Sequence, residues 1–184
     1  MGRKMQEEML TLEKFEEASE IVKKVTLETK LVYSDYFSAQ TGNRVYLKPE
    51  NLQFTGAYKL RGAYYKMSTL TDEERAKGLI TASAGNHAQG VALAASVLNC
   101  HATIFMPRST PEVKQTEVRR HGGRHVKIML HGDCYDETAA AAHEYAETHG
   151  STFVHPYDDL VTMAGQGTLA DEVVMSGEGP FDRA

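Results

Sequence analysis

A lysine placed among small and apolar residues is the first candidate for chemistry in this chain. Lys59 lies in the segment Thr55-Gly56-Ala57-Tyr58-Lys59-Leu60-Arg61-Gly62-Ala63, near the start of a predicted helix. Removal from water and the positive end of the helix both disfavour the ammonium form. A neutral lysine amine is a nucleophile that can form a Schiff base with a carbonyl compound. The open alternative is a lysine whose stem covers apolar surface and whose charge stays in solvent.

A second candidate site is the segment Ser83-Ala84-Gly85-Asn86-His87, where a short apolar run passes into an alanine-rich helix. The first backbone N–H groups of a helix are unpaired and carry partial positive charge, so they bind anions. Gly85 has no side chain and lets the backbone approach a ligand closely. In the alternative interpretation, Ser83 or Asn86 only caps the helix and nothing binds there.

Two further groups of polar residues do not predict a metal site. His121 and His125 are separated by two glycines that interrupt a helix, and a glycine also lies between His131 and Cys134. Neither pair has a convincing fourth ligand or the paired spacing of a structural zinc site. No base is specified that would activate Cys134 as a nucleophile. We therefore expect no metal.

Short apolar runs alternate with helical patterns through most of the chain. Strands are predicted at 44–47, 79–82, 102–106, 125–130 and 152–154, and helices at 12–25, 56–67, 86–98, 111–120, 135–148 and 166–175. Runs without polar alternation, such as ITA and TIF, are typical of strands buried on both faces. This order predicts an α/β fold, in which helices cover both faces of a parallel twisted sheet.

Composition excludes several classes of partner. The 184 residues are enough for one domain or slightly more, with 20 Lys and Arg against 25 Asp and Glu. The net charge of −5 argues against a nucleic-acid binder. The longest nearly apolar run, residues 90–98, is far shorter than the roughly 20 residues that span a bilayer. With a polar N-terminus and two cysteines, we expect a cytoplasmic protein without a membrane partner.

In chain order, the two motifs resemble the fold-type II pyridoxal-phosphate enzymes, and within them the threonine and serine dehydratases, also called ammonia-lyases. The resemblance rests on LKPENLQFTGAYKLRGA (47–63) and TASAGNHAQGVALAA (81–95), with weaker support from ATIFMP (102–107), HGD (131–133) and HPYDDLVTMAGQGT (155–168). It implies a complete smaller α/β domain at 54–157. Residues 1–53 and 158–184 would then belong to a larger domain that is only partly contained in this sequence.

The resemblance also implies a cofactor, a substrate and a reaction. Pyridoxal phosphate would form a Schiff base with Lys59, and Asn86 would hydrogen-bond the 3′-oxygen of its ring. The loop of Ser83, Ala84, Gly85, Asn86 and His87 would receive the substrate carboxylate. The implied activity is deamination of L-threonine or L-serine to a 2-oxo acid and ammonia, in a homo-oligomer. The alternatives are a serine racemase or other β-eliminating or β-replacing enzyme and, from another class, a folded fragment that binds no cofactor.

Three details refine these expectations. Serine racemases carry Ser at the position that aligns with Ala84, so its methyl group favours elimination over racemisation. Relatives place a glycine-rich phosphate-binding loop beyond the position of Ala184, so we expect this chain to bind the cofactor weakly and to expose an apolar patch. Gln166 matches a recurrent family segment, Gly165-Gln166-Gly167-Thr168, but the sequence indicates no chemical role for it.

Overall fold

Helices and short strands alternate along the part of the chain that the computed structural model describes, residues 10–183. The elements are α1 (Leu12–Val22), β1 (Val32–Tyr33), α2 (Asp35–Thr41), β2 (Tyr46–Leu47), α3 (Lys59–Ser68), α4 (Asp72–Ala76), β3 (Leu79–Ala82), α5 (Asn86–Val97), β4 (Ala102–Met106), α6 (Glu112–Gly122), β5 (Val126–Leu130), α7 (Tyr135–His149), β6 (Thr152–Phe153) and α8 (Leu160–Val174). Single 3₁₀ turns lie at Glu50–Leu52 and Gly123–His125.

Four strands form a parallel sheet in the order β5–β4–β3–β6. Leu79 of β3 pairs with Ala102 of β4 on one side and with Thr152 of β6 on the other. The central strand β3 is buried along its whole length. The predicted α/β fold with a parallel sheet is therefore confirmed.

Alternate residues of β3 pack into two different cores, as the pleat of a strand requires. Leu79 belongs to a core with helices α3, α5 and α6, whereas Ile80 and Ala82 pack with Ala142 and Ala146 of α7. Helices therefore cover both faces of the sheet, as predicted. Because β3 ends at Ala82, both the segment after it and the segment after β6 lie at the carboxyl edge of the sheet.

Helices α1 and α8 form a third layer, which packs on the side of α3 that faces away from the sheet. Ala18 and Val22 of α1 pack with Tyr65 of α3 and Ala164 of α8 in a separate buried cluster. Helix α3 is thus enclosed between α5 and α8. The position of Lys59, its first residue, is consequently determined by packing on two sides.

Three parts of the structure differ from the sequence prediction. One is helix α4 (Asp72–Ala76), which is not predicted and which Thr71 and Glu74 cap. The segment before α3 contains an antiparallel pair, β1 with β2, and the intervening helix α2, where only one strand at 44–47 is predicted. The last helix begins at Leu160 instead of Gln166, because Asp159 caps it by accepting the backbone N–H of Thr162. Gly165 and Gly167 lie inside this helix.

Large apolar side chains are exposed mainly in the segment that precedes α3. They include Leu12, Val32, Tyr33, Tyr36, Phe37, Leu47, Leu52 and Phe54. The apolar patch expected where the rest of the larger domain would pack stays a prediction. Within residues 10–183, no helix combines the length and the apolar character needed to cross a membrane.

Candidate functional site

Lys59 ends on a backbone carbonyl, not in open solvent. It is the first residue of α3 and is half-buried. Its Nζ donates a hydrogen bond to the Pro156 carbonyl at 2.8 Å and lies 5.5 Å from the centroid of the Tyr58 ring. The amine therefore has a backbone partner next to the carboxyl edge of the sheet. The alternative of a solvated lysine stays open, since the residue is only half-buried.

The loop of residues 83–87 connects β3 to α5 and leaves the start of that helix without a side-chain cap. Gly85 is the N-cap of α5, and no side chain accepts a hydrogen bond from the first turn. The Ser83 hydroxyl instead accepts the Gly85 N–H at 3.2 Å. The capping alternative through Ser83 or Asn86 is thus not the arrangement observed, and the first N–H groups of α5 face an open position.

The His87 ring is buried, only 3% exposed, and faces the segment that follows β6. Its Nε2 lies 3.1 Å from the Val154 carbonyl, which also accepts the Thr81 hydroxyl at 2.9 Å. Burial lowers the pKa of His87 to about 4, with smaller contributions from Lys59 and His155, against the opposing effect of the Val154 carbonyl. The neutral ring therefore offers no charge to an anion, and only the backbone N–H of His87 can serve that role.

The segment Val154–Pro156 joins the two candidate motifs, although sequence analysis did not identify it as part of the site. The Val154 carbonyl bonds the His87 ring, and the Pro156 carbonyl accepts Lys59. Both contacts use backbone oxygens, which every residue carries, so residue type gives no signal for them. The sequence clue was the motif HPYDD, which begins at residue 155.

Close packing of α5 on α3 brings the two motifs together. A Cβ placed on Gly90 of α5 would lie 3.1 Å from Leu60 Cα and 3.2 Å from the carbonyl carbon of Lys59. Because glycine has no side chain, the two helix axes can approach at this position. The helix that follows the 83–87 loop therefore packs directly on the turn that carries Lys59.

Helix α8 supports the first turn of α3 from the opposite side, and this gives Gln166 a structural role. The Gln166 Oε1 accepts the Gly62 N–H at 3.1 Å, in the first turn of α3. The Gln166 Nε2 is buried and has no partner within residues 10–183. Gln166 thus ties α8 to the first turn of the helix that begins at Lys59.

A buried ion-pair cluster lies two residues after Lys59. The Arg61 side chain is fully buried and bonds Glu50 at 2.8 Å and Glu172 at 2.7 Å. Burial opposes the charge, but the hydrogen bonds to both carboxylates outweigh it and raise the pKa of Arg61. Burial would likewise raise the pKa of Glu50, yet the bonds from Arg61 and Thr29 bring it below its usual range. The cluster ties α3 to the N-terminal segment and to α8.

A surface cavity elsewhere in the described structure does not coincide with this site. It has a volume of about 950 Å³ and lies between the β1–β2 region and the C-terminal segment. Its walls include Arg44, Tyr46, Val173 and Phe181, and none of the predicted site residues. The predicted site therefore stays at Lys59 and the 83–87 loop, outside this cavity. No group of three or more His, Cys, Asp or Glu side chains within residues 10–183 is arranged to hold a metal ion.

Comparison with known proteins shows the family of the chain. The profile of the family described as pyridoxal-phosphate dependent enzyme matches residues 22–183. The biosynthetic L-threonine dehydratase of Lactococcus lactis is 47% identical over 165 residues, which cover 90% of this chain and 40% of that protein. The L-threonine ammonia-lyase of Thermotoga maritima is 48% identical over 166 residues, which cover 90% and 41%. The chain thus spans about two fifths of the length of these curated relatives.

Solved structures show the same likeness. The processed threonine deaminase isoform 2 of Solanum lycopersicum superposes with a TM-score of 0.80 at 40% identity, over 89% of this chain and 46% of that one. Maize serine racemase superposes with a TM-score of 0.83 at 31% identity, over 89% and 49%. The resemblance inferred from the two motifs is confirmed.

Proposed function

The chain belongs to the family of pyridoxal-phosphate dependent enzymes, and from this membership we propose that it acts in the deamination of L-threonine or L-serine to a 2-oxo acid and ammonia. The observation that carries the proposal is the convergence of Lys59 and the start of α5 on the segment Val154–Pro156. The names of the similar proteins, threonine dehydratase and threonine ammonia-lyase, support the reaction class and favour threonine.

The surroundings of Lys59 fit a cofactor that attaches to a lysine amine. Lys48 is ion-paired with Glu172, and Lys66 with Asp159 at 2.9 Å. By contrast, no carboxylate within the described residues pairs with Lys59, whose partner is the Pro156 carbonyl. An amine that is not held in an ion pair is available to form a Schiff base with the carbonyl group of a cofactor. The buried His87 Nδ1, which has no partner in the described structure, adds an unused acceptor nearby.

We assign the roles as follows. When bound, pyridoxal phosphate supplies an electron sink for negative charge that develops at the substrate α-carbon. Lys59 would carry the cofactor and move the α-proton, and the exposed Asn86 would hydrogen-bond the 3′-oxygen of the ring. The backbone of Ser83, Ala84, Gly85, Asn86 and His87 would receive the substrate carboxylate at the uncapped start of α5.

Borohydride reduction tests the lysine assignment. We expect reduction in the presence of pyridoxal phosphate to fix the cofactor on the peptide that contains Lys59, as measured by mass spectrometry. Lys48 and Lys66 are internal controls, because their amines are engaged in ion pairs with Glu172 and Asp159. Cofactor found on either control and not on Lys59 would contradict the assignment.

The reaction outcome is tested at Ala84. A racemase needs a second acid or base on the face of the α-carbon opposite the lysine, and a methyl group can neither give nor take a proton. With L-serine and L-threonine as substrates, we expect 2-oxo acid with little D-amino acid from an active preparation. Ala84→Ser is expected to gain racemisation, and Ala84→Val is the matched variant that adds bulk without a proton. Substantial D-serine from the unaltered protein, with little pyruvate, would favour the racemase alternative.

We also propose the class of substrate, the cellular location and the oligomeric state. A small amino acid as substrate agrees with the similar proteins. The net charge of −5 and the two free cysteines support a cytoplasmic protein that does not bind nucleic acid. The exposed apolar side chains before α3 support assembly into a homo-oligomer.

A further inference from the structure

The turn that follows β6 is held together by one imidazole nitrogen. The Nδ1 of His155 accepts the N–H of Asp158 at 2.7 Å and the N–H of Tyr157 at 3.3 Å. An imidazole nitrogen accepts hydrogen bonds only when it carries no proton. The ring must therefore carry its proton on Nε2.

One of these bonds controls the direction of a carbonyl in the site. The Pro156 carbonyl and the Tyr157 N–H belong to the same planar peptide unit and point in opposite directions. Because His155 holds the N–H, it also fixes the rotation of the carbonyl that accepts Lys59 Nζ at 2.8 Å. Pro156 has no N–H and a fixed φ angle, so little else in its backbone can adjust.

We propose that His155 is a positioning residue for Lys59: its Nδ1 fixes the 156–157 peptide unit, and that unit holds the lysine amine in place. The proposal rests on the proposed function for the importance of Lys59. The geometry itself is a property of this chain without any cofactor.

The ring of His155 is itself held in place. It makes an edge contact with Tyr157 at 4.7 Å between centroids and lies 6.0 Å from Phe153. The charged and titratable groups that face it are Asp158 and Asp159 in its own segment, His143 on α7 and His87 on α5. Burial lowers the pKa of His155. Asp158 opposes this effect and His143 adds to it. The lowered pKa favours the neutral ring, whose Nδ1 can accept hydrogen bonds.

The first test reads the tautomer and the two amides directly. In nitrogen-15 spectra of the unaltered chain, we expect the His155 ring as the Nε2–H tautomer. On acidification, the amide signals of Tyr157 and Asp158 should titrate together with the ring, because protonation of Nδ1 removes their acceptor. An Nδ1–H tautomer, or amide signals that do not follow the ring, would overturn the proposal whatever the variants do.

The second test measures the amine that the turn holds. Trace acetylation, resolved by peptide, gives the rate at Lys59 relative to the exposed Lys24. His155→Phe keeps an aromatic ring beside Phe153 and Tyr157 but has no acceptor. In His155→Phe, the acetylation rate of Lys59 relative to Lys24 should rise about fivefold, which is the effect of losing one hydrogen bond of ordinary strength. His155→Asn offers a side-chain oxygen to the same amides and should keep the ratio within about twofold of the unaltered chain.

His143→Phe is the matched control. His143 stacks on Phe153 at 3.9 Å, in the same aromatic group, but accepts neither amide. The His143→Phe variant should leave the acetylation rate of Lys59 relative to Lys24 unchanged. Equal ratios for the Phe and Asn variants of His155, both folded by thermal melting, would refute the positioning role. Because the chain is labelled without cofactor, this result is independent of whether borohydride fixes pyridoxal phosphate to Lys59.

Discussion

Arg61→Met is expected to lower the free energy of unfolding by about 3–5 kcal/mol, the usual cost of removing one partner from a buried ion pair. The guanidinium is fully buried and bonds Glu50, Glu172 and Thr168. Without it, the Glu50 carboxylate, whose side chain is 9% exposed, loses its cationic partner. Met fills part of the volume but compensates no charge. Urea unfolding of the two proteins measures the difference.

The pH dependence separates a charge effect from a packing effect. In the unaltered chain the pKa of Glu50 lies below its ordinary value, so its contribution to stability is lost only as the pH falls through that lowered pKa. In Arg61→Met, burial without the guanidinium should raise the pKa of Glu50 above the ordinary value. The stability difference between the two proteins should therefore shrink as the pH falls below neutrality toward about 4.

An exposed arginine provides the control. Arg119 pairs with Glu112 at 2.7 Å, and both side chains are at least half exposed. Arg119→Met should cost less than about 1 kcal/mol, as surface ion pairs do. If Arg61→Met also stays within that range at neutral pH, the buried cluster does not hold α3 in the way inferred from its contacts.

The central strands could be predicted because their signal is local. The structure has β3 at Leu79–Ala82 and β4 at Ala102–Met106, the same bounds that the apolar runs indicate. Both candidate motifs also lie at helix starts, as expected. A run of apolar residues without alternation and a glycine before a helix need no knowledge of the rest of the chain to be interpreted.

The start of α8 could not be predicted in this way, because its glycines are needed for a close contact with another helix, α3. A Cβ on Gly165 would lie 2.7 Å from Gly62 Cα and 2.8 Å from the Arg61 carbonyl oxygen. In sequence, such a glycine reads as a helix breaker, whereas in the structure it permits α8 to approach α3. The role of Gln166 depends on the same contact, since its partner Gly62 is 104 residues away.

Acid should destabilise the folded chain, because the buried His87 ring resists the protonation that the unfolded chain allows. The pKa of His87 is about 4 in the folded chain against an ordinary value of 6.5, because the ring is buried. The unfolded chain therefore takes up a proton before the folded chain does, and stability falls as the pH drops from 6.5 to about 4. A displacement of this size corresponds to about 3 kcal/mol at its full extent.

His87→Gln should remove this part of the acid sensitivity. The variant loses some stability at neutral pH, but its curve of unfolding free energy against pH should be flatter than that of the unaltered chain by up to about 3 kcal/mol. His131→Gln is the matched control, because His131 is exposed and its removal should leave the slope unchanged. The difference between curves is the quantity to measure, since burial also lowers the pKa of His121 and of His155.

Protonation of His87 should alter the surroundings of Lys59 at a pH at which the chain is still folded. A second proton on His87 would go to Nδ1, which is buried and faces no acceptor within the described residues. Burial of the added charge would favour a ring position that is open to solvent, against the Val154 hydrogen bond, which favours the protonated ring. Val154 lies in the segment whose Pro156 carbonyl accepts Lys59. Acetylation of Lys59 relative to Lys24 should therefore rise at a higher pH than the midpoint of acid unfolding. A ratio that changes only together with global unfolding would show that His87 stabilises the fold without influencing the lysine.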